Sequence, residues 1–327
     1  MNNFTGRNAC RKNLVIAILL SLVLLAGRTH GGESAEAPFE YVEGKAYHVL
    51  PRTHNNESGY FSLCEGADGR IYVGTAKYRV NSYLVEFDPQ TGDQRVVADT
   101  HAICGLDATG YAAQAKIHTR NDVGRSGTIY FGSMQGHIEK GNDPEDYPGG
   151  YVMTYDPQAD RAECLGMPHP GEGVIDVVAD ERRGIVYVVG WGQGLWQIMD
   201  IESGKSRTIA KSVIAFGTTL VGARGRASAL TTDWQLLQHD PETGQTTRRP
   251  IMVEGERWQP ESGGSVPTWR IDPDGKTAWL IQMKNPTLIE IDLSSEREAA
   301  EAVSHGPMIE GRAYDSRSAL DIGPDGR

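Results

Sequence analysis

The chain has 327 residues, with 43 Asp and Glu against 32 Lys and Arg, and a net charge of −11. That acidity argues against nucleic acids and anionic membranes as partners, because both demand a basic contact surface. The length suits one large β domain or two smaller ones.

At the N-terminus, Arg7, Arg11 and Lys12 precede the apolar run "LVIAILLSLVLLAG" at 14–27. A basic flank and a short apolar stretch read as a secretory signal rather than a membrane span. Cleavage is expected between Gly27 and Ala37, so residues 1–32 are taken as signal, 33–43 as linker and 44–327 as the folded domain. The mature protein is expected to be secreted or periplasmic, monomeric, and without membrane insertion. Removing residues 1–32 leaves 28 basic against 43 acidic residues, a charge of about −15. Three cysteines remain, Cys64, Cys104 and Cys164. An odd number leaves at least one thiol, and the spacing fits no metal knuckle, so small buried side chains with at most one bridge are expected.

The rest of the chain is organised by two interleaved series of turns. Aspartate-led turns recur at "DPQTG" (88–92), "DPQAD" (156–160), "DIESG" (200–204), "DPETG" (240–244) and "DLSSE" (292–296), at steps of 68, 44, 40 and 52 residues. Each follows a short apolar run such as "YLVEF" or "TLIEI". Between them come "ADGRIYVG" (67–74), "SGTIYFG" (126–132), "RRGIVYVVG" (182–190), "ARGRASAL" (223–230), "PDGKTAWL" (273–280) and "PDGR" (324–327). Asp satisfies local amides, Pro presets φ, and Gly takes positive φ, so both series are tight hairpin turns. A four-strand unit repeated about every 50 residues is the signature of a β-propeller. The fold class is therefore all-β, a propeller of four-stranded blades, with five full blades and part of a sixth in a ring of six or seven. The segment 44–60 resembles an outer strand and its following loop, of the kind that closes a ring against the last blade. "SALDIGPDGR" (318–327) reads as the start of a further blade, so the chain is expected to be C-terminally incomplete relative to its domain.

Strand reversal sorts the loops. With strands named A to D from the axis outward, the Gly turns join A to B and the Asp turns join C to D, and both lie on one rim. The opposite rim carries "AKIHTR" (115–120), whose alternation puts Lys116, His118 and Arg120 on one face, and "GTIYFGSMQGH", ending at His137. It also collects Asp176, Trp191, Gln193 and Arg317, and Trp269 is placed with them as a ligand contact. Phe61, His118, Asp176, Thr268 and Ser318 fall at equivalent levels near the axis. Other tryptophans, Trp196, Trp234 and Trp258, either stack on sugar rings or fill space between blades. Loops on a rigid scaffold are where binding sites form. The candidate catalytic set is His118, His137, Lys116 and Arg120. The candidate binding set is Asp176, Trp191, Gln193, Trp269 and Arg317, for a carbohydrate or another small molecule. No metal ligands are assigned. Asp143, Glu145 and Asp146 sit in the longest insertion without a recognisable ligand spacing, and a divalent cation, calcium or manganese, is kept as a cofactor option.

The stretch "AKIHTR…GTIYFGSMQGH" resembles a histidine pairing in secreted propeller lyases that cleave uronate polysaccharides, the ulvan-lyase type. That resemblance implies His118 and His137 as the site pair, with a tyrosine and an arginine beside them. Tyr187 has about the right spacing, and Arg317 belongs to another blade. The chemistry implied is β-elimination, with a base removing the proton α to a carboxylate and a cation neutralising that carboxylate. The chain is also similar to a broad group of secreted bacterial propellers that includes lactonase-like and streptogramin-lyase-like members. Two alternatives stay open: a non-catalytic glycan- or protein-binding propeller, and a metal-dependent lactonase.

Overall fold

The computed structural model describes residues 44–57, 62–138, 143, 146–222, 224–259, 267–282, 287–308, 320, 321 and 323. The chain divides into two units, 1–46 and 47–327. Of the first, only residues 44–46 are described, so the signal and linker readings lie outside the described residues.

The second unit is built from the expected antiparallel repeats. The first blade comprises β1 (Leu63–Glu65), β2 (Ile71–Gly74), β3 (Tyr83–Phe87) and β4 (Gln94–Asp99). In the second, β5 (Lys116–Ile117) and β6 (Asp122–Val123) both pair with β7 (Ile129–Met134), followed by β8 (Val152–Asp156) and β9 (Arg161–Gly166). The third contains β10 (Gly173–Asp180), β11 (Ile185–Trp191), β12 (Trp196–Asp200) and β13 (Ser206–Ala210). The fourth contains β14 (Leu220–Val221), β15 (Ala227–Leu230), β16 (Gln235–His239) and β17 (Thr246–Val253), with β18 (Glu256–Arg257) folded back on β17. The fifth contains β19 (Pro267–Ile271), β20 (Thr277–Gln282), β21 (Thr287–Asp292) and β22 (Ala300–Pro307). Inner strands β1, β6, β10, β14 and β19 touch in sequence order, which is the radial stacking of a propeller.

The turn chemistry is as read from the sequence. Oδ1 of Asp88, Asp156, Asp240 and Asp292 each accepts the backbone N–H groups two and three residues on, and Asp200 accepts that of Ser203. This rim is laced between blades by Arg95–Asp160, Arg183–Glu242 and Arg226–Glu296 ion pairs. Being exposed on at least one side, each contributes little individually.

The apolar core is not one mass but a series of layers between blades. Tyr72, Leu84 and Ala98 of the first blade pack with Ile117, Phe131, Met153 and Tyr155 of the second. Tyr130 and Val152 pack with Val174, Val177, Val186 and Val188 of the third. The Gly ending the B-strand motif of the first and second blades lets these layers close. A Cβ on Gly74 would lie 2.7 Å from Ile117, and one on Gly132 would lie 2.3 Å from Val174 Cγ1.

One expectation is corrected, and one pairing goes beyond the repeat. Residues 47–50 form no strand; Tyr47 packs on Phe87 at 4.7 Å, and the amide of Gln94 exchanges hydrogen bonds with Leu50 N and His48 O. This segment therefore lies on the first blade rather than closing against the last. The fourth and fifth blades are also joined into a nine-stranded sheet by parallel pairing of β17 with β22 at Ile251–Val253. β16 covers β17 only as far as Pro250, and β22 and β18 take up the edge beyond it.

The inter-blade glycines give a direct test. Gly132→Val should destabilise the domain by about 1–3 kcal/mol, because the added methyls meet Val174 in a filled layer. Urea unfolding should show a lower midpoint with an unchanged slope.

Candidate functional site

The site grows out of an interruption. The inner strand of the second blade is expected to run through 115–120, but the ladder breaks between Ile117 and Asp122. Simple alternation fails there: Ala115, Ile117 and Thr119 are fully buried, and Lys116 and His118 are nearly so. Lying between the two short strands, Arg120 reaches across the axis, and its Nη2 donates to Thr268 Oγ1 of the fifth blade at 3.3 Å.

A β-bulge at Ile175 performs the same task on the third blade. Val174 pairs with Gly190 but Asp176 with Val189, so the chain carries one extra residue before Asp176. The Asp176 carboxylate is 2% exposed. Its Oδ1 accepts from Thr218 Oγ1 at 3.0 Å, and its Oδ2 from the Thr219 N–H at 2.8 Å. The same threonines receive the indoles of two flanking blades, Trp196 Nε1 to Thr219 Oγ1 (3.2 Å) and Trp269 Nε1 to the Thr218 carbonyl (2.6 Å). Burial raises the Asp176 pKa from 3.8 to about 7, opposed by these hydrogen bonds and by the nearby Arg120 charge. Arg120 is lowered by burial and then by the like charge of Arg270, although a guanidinium stays protonated. Arg270 in turn pairs with Asp321 at 3.3 Å. The axis thus gathers Arg120, Arg270, Asp176 and Thr268 from three blades.

Nearer the loop rim, aromatic rings frame the histidines. His118 meets Phe216 edge-on at 5.5 Å, and Phe216 meets the part-exposed Trp191 at 5.4 Å. Burial, then the Lys116 charge, lowers His118 to about 4, so its imidazole is neutral at physiological pH. His137 is exposed and stacks on Tyr78 at 6.1 Å, while Lys116 Nζ lies 4.7 Å from the same ring centre. Tyr78 therefore joins His137 to Lys116. Gln193 contributes its backbone N–H to Glu172 Oε1 at 2.9 Å.

Several candidates end up elsewhere. Trp269 is fully buried, packed with Leu230, Leu280 and Ile291, and so fills core instead of facing a ligand. Trp196 and Tyr187 are also fully buried, the latter inside β11. A flat aromatic in a B strand points into the layer between blades, away from the rim. Arg317, Phe61, Ser318 and Glu145 lie outside the described residues. Among the described residues, no three of His, Cys, Asp and Glu gather as a metal set. Phe216, Tyr78, Thr218, Thr219 and Arg270 were not identified from sequence. The φ of +64° at Phe216 marks it as a forced conformation, but no local pattern announces it.

Radial four-stranded sheets around a polar axis define this protein as a β-propeller. It is similar to virginiamycin B lyase from Staphylococcus aureus, with 9% identity, a TM-score of 0.52, and coverage of 79% of this chain and 73% of that one. It is also similar to a β-propeller domain from Myceliophteria thermophila, at 12% identity, TM-score 0.50, and coverage of 79% and 73%. The periplasmic gluconolactonase of Pseudomonas aeruginosa shows 13% identity and a TM-score of 0.48 over 79% of this chain and 74% of that one. Identities this low establish the fold alone. No protein-family model matches the sequence, and no curated protein matches it.

The Asp176 environment predicts a pH dependence. Between about pH 4 and 7 the native state keeps a proton that the unfolded chain has lost, so this residue's contribution to stability falls as pH rises. Relative to Asp176→Asn, the wild type should lose on the order of 1 kcal/mol per pH unit across that window. Urea midpoints of both proteins at several pH values measure it, and a pH-independent difference would refute it.

Proposed function

We propose that the protein is an exported β-propeller that binds a carboxylate-bearing sugar or similar small acid at the axial end of its loop rim. The observation that carries this reading is the meeting of Arg120 and Arg270, from the second and fifth blades, beside Thr268. Two guanidiniums brought close together repel each other; Asp321 and Asp176 offset part of that repulsion, and a bound carboxylate would offset more of it. Thr268 supplies a hydroxyl at the same place. The part-exposed Trp191 and Phe216 offer an apolar face for a sugar ring. The negative charge of the whole chain does not oppose this, because the local field in a cleft is set by the groups lining it.

The finer reading is β-elimination from a uronate. The neutral His118 imidazole would take the proton α to the carboxylate, the α–β double bond would form as the bond to the leaving oxygen breaks, and the His118 imidazolium would return its proton to that oxygen. Arg120 would hold the carboxylate as charge develops on it. The imidazole is neutral beside Lys116 and so has a lone pair for that proton, but a pKa lowered to about 4 makes it a weak base, and bound substrate must raise it for the step to run. With His118 nearly buried against Phe216, productive attack would require the Phe216 ring to swing aside. Export rests on the N-terminal sequence; among the described residues, no helix is long and apolar enough to cross a membrane.

Calorimetric titration with glucuronate and with glucose tests the binding reading. Glucuronate should bind more tightly than glucose, and Arg120→Met should weaken it about tenfold or more. Equal affinities, or an unaffected variant, would refute it. The elimination reading predicts an ultraviolet-absorbing unsaturated product from polyuronate that disappears in His118→Ala. Binding without product leaves the protein a recognition module.

A further inference from the structure

Outside the axial site, the described residues hold one pair of potentially reactive side chains that meet. Cys104 closes the five-residue helical turn Thr100–Cys104, which leaves β4 and begins the long connection to the second blade. Cys164 lies in β9, the outer strand of that blade. The helical turn packs on β9, which brings Cys104 and Cys164 close enough to influence each other's titration. Both sulfurs flank the same apolar layer between the first and second blades, and both cysteines are free thiols.

We propose that Cys104 and Cys164 form a disulfide that staples the first inter-blade connection to the second blade when the protein meets an oxidising thiol–disulfide pool. The oxidant is a small-molecule disulfide of the glutathione class. Cys164 thiolate attacks one sulfur of that disulfide, forming a mixed disulfide and releasing one thiol. Cys104 thiolate then attacks Cys164 Sγ, forming the Cys104–Cys164 bond and releasing the second thiol. Two protein thiols are oxidised, one disulfide is reduced, and two protons pass to the two departing thiols.

The order of attack follows from the surroundings. The neighbouring Cys104 and the Gly166 N–H favour the Cys164 thiolate, whereas Cys104 beside it is raised. Cys64 is set apart: burial, Asp122 and Asp68 push it up to about 12, which keeps it a thiol at neutral pH. The staple has a bearing on the loop rim. The connection it anchors carries His101, whose Nε2 accepts the Gln114 N–H at 3.0 Å, just ahead of Lys116 and His118. Burial lowers His101, which keeps it neutral and able to accept that bond.

The test uses the full chain incubated with oxidised glutathione, then alkylated and digested without reduction for mass spectrometry. The expected product is a single cross-linked peptide pair joining Cys104 to Cys164, with Cys64 recovered alkylated. The oxidised protein should melt roughly 5 °C or more above the reduced one, because about 60 residues of chain are closed into a loop. The Cys104→Ser/Cys164→Ser double variant should show no such shift on oxidation. Stable glutathione adducts on Cys104 or Cys164, a bond involving Cys64 or Cys10, or no oxidation at all would each overturn the proposal.

Discussion

The arrangement depends on one buried carboxylate. Asp176 has given up water almost completely, a cost that its hydrogen-bond donors offset only in part, as its raised pKa shows. Its donors come from Thr218 and Thr219 at the threshold of the fourth blade, and those residues are gripped in turn by indoles from the third and fifth. Three blades are thereby fixed at their inner ends, and the support matters most at β14, which is only two residues long. A hydrophobic contact would have supplied adhesion there without direction. The hydrogen bonds fix the angle at which successive blades meet.

Farther from the axis the same problem is solved by shape. Each layer between blades buries aromatic and β-branched side chains from both neighbours, and glycines at the ends of the B strands let the sheets approach. Dense packing of this kind transmits any added volume to the next blade. The turn rim adds ion pairs that are exposed and individually weak. The loop rim, by contrast, spends its polar groups on positioning: buried Gln114 accepts from Ser133 and Tyr147 and donates to the Gly149 carbonyl.

This division explains why the axial cluster can hold like charges. The blades are already locked by Asp176 and by the apolar layers, so Arg120 and Arg270 are carried to the centre by strands whose positions they do not determine. A break in one inner strand and a bulge in another adjust the aim of the functional side chains without disturbing the outer strands. Irregularity is confined to the place where chemistry needs it.

By itself the sequence determined the architecture. Turn chemistry is local: Asp, Pro and Gly within five residues dictate a hairpin, and hairpins repeated at regular steps leave a radial stack as the economical way to bury every sheet. It also determined which rim carries His118, Lys116, Arg120, Asp176 and Trp191, because strand direction alternates whatever the packing. The tertiary structure decided which side chains meet. Trp191 and Trp269 are both tryptophans near the inner half of a blade, yet one lies part-exposed on the rim and the other is sealed in core. Their difference lies in what the neighbouring blade places opposite them. The same holds for Phe216, Thr218 and Arg270, whose partners are supplied by residues tens of positions away, and for the break in the strand ladder between Ile117 and Asp122. Contacts between blades are non-local, and no short window of sequence contains both halves of them.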